Sequence, residues 1–129
     1  MRYMLMMNVP AGGGDYQISS WTPDEVKAHM AFMHRLNKDL QDAGEWVDGQ
    51  GLTPPNQARL VRAGKKGEPI TDGPFPESKE FLAGFWIIDA DSDERAYAIA
   101  ARASTAPGPG GAPLNMAIEV RPVLGLPTE

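Results

Sequence analysis

The chain has 129 residues, 42% of them hydrophobic and 22% charged, which suits one packed domain over 1–129 and leaves no room for two. Its 12 Lys and Arg against 17 Asp and Glu give a net charge of −5, which argues against direct binding of nucleic acid through its phosphates. With no Cys there are no disulfides, no thiolate nucleophile and no cysteine metal site.

In chain order, a first strand is expected over 2–9. This apolar start is too short to cross a bilayer and lacks the basic opening and small-residue cleavage site of a leader, so a cytoplasmic protein with no membrane partner is expected. Gly12-Gly13-Gly14 follows without the Gly-Lys-Ser/Thr ending of a phosphate-binding loop, and reads as a flexible connection. A helix is predicted over 22–43. Thr22 can cap it, Pro23 suits its first turn, Glu25 completes a capping box and Gly44 ends it. Its apolar stripe is Val26, Met30, Met33, Leu36 and Leu40. At ~100° per residue, His29 falls in the middle of that stripe, while His34 lies to one side and faces solvent.

Strands are expected over 45–52 and 57–63, with a hairpin turn at 64–67 that returns through 68–71. The stretch 81–90 reads as a strand. A second helix starts at Asp91-Ser92-Asp93-Glu94, with Asp91 and Glu94 at capping-box spacing, and runs to about 103. Its inward face is Ala96, Ile99, Ala100 and Ala103. Residues 104–113, rich in Pro and Gly, read as a surface loop, and 114–123 as the last strand. This order predicts an α+β fold, a ferredoxin-like βαββαβ sandwich with an extra hairpin.

The strands are apolar on both sides. Tyr3, Leu5 and Met7 alternate with Met4 and Met6; Phe81, Phe85 and Ile87 alternate with Leu82, Trp86 and Ile88. Two helices cover one face of a sheet, so the other is expected to meet a second copy in a homodimer. The alternative is a cover made by loops.

Four segments together resemble one family. Asp72-Gly73-Pro74-Phe75-Pro76-Glu77-Ser78-Lys79-Glu80 is similar to the signature Asp-Gly-Pro-Phe-Ala-Glu-Thr-Lys-Glu of the YCII-related, or DGPF, proteins. Arg2-Tyr3-Met4-Leu5, Asp48-Gly49-Gln50-Gly51-Leu52 and Glu119-Val120-Arg121-Pro122-Val123 follow the same family in order and spacing. The resemblance implies a dimeric α/β barrel. It also implies a possible His on the first helix working with an Asp beyond it. The family's His, counted back from the glycine that ends the helix, falls near Met33, one turn from His29. Some members of the family are associated with sigma factors.

Among the residues themselves, His29 is the candidate acid–base group, since histidine is the side chain that ordinarily titrates near neutral pH. Asp48 and Asp72, both beside glycines, could orient it; each is equally at home as a turn residue. Phe75 and Lys79 could line a pocket from the signature loop, and Arg121, beside Glu119, could hold an anionic substrate or form an ion pair. The two histidines are five apart on a helix, not the spacing of metal ligands on one face, so no metal and no cofactor are expected. Trp21, Trp46 and Trp86 read as core or interface residues. Two functions stand. One is a small-molecule binder or cofactor-independent acid–base enzyme with a pocket between helices, sheet and signature loop. The other is an accessory protein acting by protein contact, with a sigma factor as one possible partner.

Overall fold

A computed structural model describes residues 1–10, 17–72 and 80–125. Among the described residues, six strands and two helices follow in the expected order: β1 (Arg2–Pro10), α1 (Pro23–Asp42), β2 (Trp46–Gly51), β3 (Leu60–Ala63), β4 (Pro69–Asp72), β5 (Glu80–Asp89), α2 (Asp93–Ser104) and β6 (Ile118–Pro122). The main sheet runs β2-β5-β1-β6 with every neighbouring pair antiparallel, and β3-β4 forms a separate hairpin. Two helices on an antiparallel sheet in this order are consistent with a ferredoxin-like fold carrying an inserted hairpin.

α1 begins as its sequence dictates. The Thr22 hydroxyl accepts from the Glu25 amide at 3.2 Å, and the Glu25 carboxylate accepts from the Thr22 amide at 2.9 Å. Gly44 follows its end at φ 72°, a conformation that an L side chain rarely adopts. α2 differs in one detail. Its cap is Ser92, whose hydroxyl accepts from the Arg95 amide at 3.1 Å, so the helix starts one residue later than an Asp91 cap requires. Asp93, thereby in the first turn, accepts a hydrogen bond from the Tyr3 hydroxyl. That bond pushes the tyrosine up to about 12 and ties β1 to the start of α2.

The core lies between the helices and one face of the sheet. Leu5, Ile88, Leu36 and Leu40 are its largest fully buried side chains, joined by Tyr3, Trp86 and the small residues of α2. Ala96, Ile99, Ala100 and Ala103 are all buried there, which lets α2 lie close to the sheet. Met4, Met6, Phe85 and Ile87 alternate with these positions and are half-buried; they pair across β1 and β5 as Met4 with Ile87 and Met6 with Phe85. Glu119 and Arg121 flank them on β6, Asp48 and Gln50 on β2.

Two boundaries move for local reasons. β3 begins at Leu60, not 57, because Pro55–Gln57 closes a tight turn through Gln57 N to Pro54 O and Ala58 N to Pro55 O. β6 begins at Ile118, not 114, because Leu114 N is bound to Ala106 O and Asn115 sits at φ 52°, outside extended geometry. The loop after α2 is also less superficial than its composition suggests. Ala106 is 0% exposed and the Ser104 hydroxyl donates to Met116 O at 2.6 Å, so the loop packs into the domain as well as running over it.

Candidate functional site

A cavity of about 840 Å³ opens between the middle of α1 and the sheet. Met7, Val9 and Pro10 close one side from the end of β1, and Phe81 to Trp86 contribute the first half of β5. The end of β2 and the turn after it, from Gly49 to Gln57, complete the far wall. α1 supplies His29, Met30, Met33, His34 and Asn37, at spacings that share one side of a helix. A space this large accommodates an ordinary small-molecule ligand.

Among the described residues, His29 is the buried polar side chain, 6% exposed. Its Nδ1 lies 3.0 Å from Pro107 O. A carbonyl only accepts, so Nδ1 carries the proton and, in the neutral ring, Nε2 carries the lone pair. Trp21 stands edge-on to the imidazole, with centroids 5.2 Å apart and planes at 72°. The loop that supplies Pro107 is itself pinned to α1: Gly110 N donates to Glu25 Oε2 at 2.6 Å. That bond, with the one from the Thr22 amide, holds the Glu25 carboxyl below its ordinary value. One helix turn thus fixes both the loop and the tautomer of the histidine.

The structure places the other sequence candidates as follows. Asp48 accepts from the Gly49 amide at 2.8 Å and from Gln50 Nε2 at 3.4 Å, and lies on the sheet face turned from the helices. Asp72, at the end of the separate hairpin, pairs with Arg62 at 3.9 Å. Neither belongs to the cavity wall among the described residues. Arg121 points from β6 on the face with Met4 and lies 4.0 Å from Glu119, an exposed pair of little energetic weight. Phe75 and Lys79, like Gly12 to Gly14, lie outside the described residues. His34 is exposed, as its place on the helix predicts, and reaches the edge of the cavity.

Sequence reasoning missed Asn37 and the turn at 51–57. Asn37 Oδ1 accepts from Trp86 Nε1 at 2.9 Å, so its amide N–H groups are what it can offer to the cavity. The one available signal was its spacing, eight residues beyond His29 on the same stripe. Among the described residues no group of three His, Asp or Glu could hold a metal ion. No described helix is long and apolar enough to cross a membrane.

A two-helix α+β domain with a helix-side cavity and one buried histidine on its wall is a class that hosts binding proteins and enzymes alike. The chain is similar over residues 1–111 to the YCII-related domain, and it belongs to that family. It is also 30% identical over 105 residues, 81% of each chain, to an uncharacterized protein of Rhizobium meliloti.

Proposed function

We propose that the protein binds a small molecule in the cavity beside α1 and acts on it by cofactor-independent acid–base chemistry, with His29 as the proton acceptor and the chain working as a homodimer. The observation that carries this reading is the pairing of a buried imidazole with a carbonyl on a cavity wall. A histidine that serves only as a staple needs no open space beside it. The reading rests on His29 alone; Asp48 and Asp72 have partners of their own.

His29→Asn tests it. The Asn amide stands where Nδ1–H stands and keeps the bond to Pro107, while the basic Nε2 is lost. Methionine methyl resonances give the binding readout in a small-molecule screen: those of Met7, Met30 and Met33 on the wall are expected to move, while Met4 and Met6 serve as controls. Turnover of whichever ligand binds, followed as proton exchange at carbon, is expected in wild type and absent in His29→Asn. Equal exchange in both proteins makes His29 structural.

The dimer reading draws its support from Met4, Met6, Phe85 and Ile87, an apolar strip that the helices leave uncovered. Met6→Glu, beside Glu119, is expected to give a monomer by light scattering, since an unpaired charge is costly to bury. An unchanged mass of two chains, or a wild-type monomer, refutes it.

One observation favours the accessory reading as well. The β3-β4 hairpin exposes Val61 at 61% on one face and Leu60 and Ile70 on the other, apolar side chains suited to a protein contact. A sigma factor is the partner to test first, by titration with wild type and Val61→Asp; no binding by either removes it.

A further inference from the structure

A capping box needs one side-chain oxygen from its third helical residue, and Gln serves there as well as Glu. Glu25 does more. Its Oε1 accepts from the Thr22 amide at 2.9 Å, and its Oε2 accepts from Gly110 N at 2.6 Å, 85 residues along the chain. A carboxylate offers both oxygens as acceptors, whereas an amide would turn its NH2 toward one of the two donors. Four residues on, and so on the same side of α1, His29 makes a second contact with the same loop, from Nδ1 to Pro107 O at 3.0 Å.

The loop between these contacts is closed on itself. Gly108 N donates to Ala112 O at 2.8 Å and Gly111 N to Gly108 O at 3.0 Å, while Pro107 bridges to Pro113. Leu114 N to Ala106 O, at 2.9 Å, closes its base. A turn braced in this way moves as one piece, so seating Gly110 also seats the Pro107 carbonyl. Trp21 keeps the two sides in register. Its ring stands edge-on to the imidazole and lies 3.6 Å from where a Cβ on Gly108 would be.

We infer that Glu25 is a positioning residue for His29: by seating the loop 107–111 on α1, it keeps the imidazole proton on Nδ1 and the lone pair on Nε2. The inference rests on the reading of His29 as proton acceptor and specifies what prepares that base. A histidine side chain in water favours the opposite tautomer, with the proton on Nε2, and in that form Nε2 has no lone pair to accept with. The Pro107 carbonyl reverses the preference, because the bond made by one ring nitrogen sets the state of the other. Glu25 holds that carbonyl in place, and it does not itself belong to the cavity wall among the described residues.

Nitrogen NMR of the imidazole rings tests this on the intact protein with no ligand added. At a pH where the rings are neutral, the spectra separate an N–H nitrogen from a lone-pair nitrogen in each of the chain's two histidines. The exposed His34 is the internal reference. Wild-type His29 is expected in the Nδ1–H form. Glu25→Ala is expected to shift its tautomer ratio toward Nε2–H by at least about fivefold, the scale of one hydrogen bond, with His34 unchanged. Thr22→Ala removes the hydroxyl of the same capping box and leaves both Glu25 bonds, so its ratio is expected to match wild type. No shift in Glu25→Ala, or an equal shift in Thr22→Ala, overturns the inference and leaves His29 as proton acceptor. A wild-type His29 with its proton on Nε2 overturns both. Should Glu25→Ala fail to fold, Gly110→Ala strains the loop from its own side, at φ 68°, and is expected to shift the ratio in the same direction. An unchanged ratio there overturns the inference.

Discussion

Two sets of apolar residues on α1 belong to the same kind of stripe and do different things. Leu36 and Leu40, toward its end, are 1% and 2% exposed and fill the space between α2 and the sheet. Met33 and Met30, about one and two turns earlier, face the cavity, and Met30 is 48% exposed. The difference lies in what stands opposite. Behind Leu36 and Leu40 are α2 and its small residues; opposite Met30 and Met33 the cavity separates the helix from the first half of β5 and the turn after β2. An apolar stripe says which side of a helix turns inward, and the neighbouring helix decides whether that side is filled or left open.

Truncating one residue at each end gives the largest contrast. Leu40→Ala removes a fully buried side chain and is expected to cost about 2–5 kcal/mol in denaturant unfolding. Met33→Ala, half-buried beside space that already exists, is expected to cost under about 1.5 kcal/mol, part of the value of burying such a side chain completely. Equal losses would mean that the cavity end is as tightly packed as the core.

The closed end of the molecule was the part legible in sequence. The inward Ala face of α2 and the strands β1 and β5 follow from local chemistry that neighbouring residues carry among themselves. The open end depended on contacts distant in sequence. His29 was singled out as the imidazole on the stripe, but its partner, a carbonyl 78 residues away, has no side-chain signature. Asn37 escaped notice because an amide on a helix looks solvent-exposed until Trp86 is seen against it. The positive φ of Asn115, which delays β6, stands beside Leu114, whose amide is bound back to Ala106 O.

At the seam between the two ends, Gly49 carries an intermediate effect. A Cβ there would lie 2.8 Å from the Trp46 ring and 3.2 Å from the Trp86 ring. Gly49→Ala is expected to destabilise by about 1–3 kcal/mol through overpacking. It should also weaken binding of whichever small molecule the cavity takes, because Trp86 lines that cavity. Loss of stability with unchanged affinity would show that Trp86 does not yield toward the cavity.

The smallest effect is expected from a charge pair that locks the closed end from outside. Arg95 of α2 grips Glu45, just after α1, through two bonds of 2.8 Å, Nε to Oε2 and Nη2 to Oε1. The guanidinium holds the Glu45 carboxyl below its ordinary value of 4.5. A depressed carboxylate stabilises the fold above its unfolded pKa, and that contribution fades as pH falls through the folded value. The Arg95 side chain is 49% exposed, so solvent screens the pair and Arg95→Ala is expected to cost only about 0.2–1 kcal/mol near neutral pH. The difference between wild type and variant should shrink below pH 4.5 and should also shrink with added salt. A difference that persists in acid would assign the loss to the packing of the arginine stem along α2 instead of its charge. The closed end would then be held by carbon contacts on its surface as it is in its core.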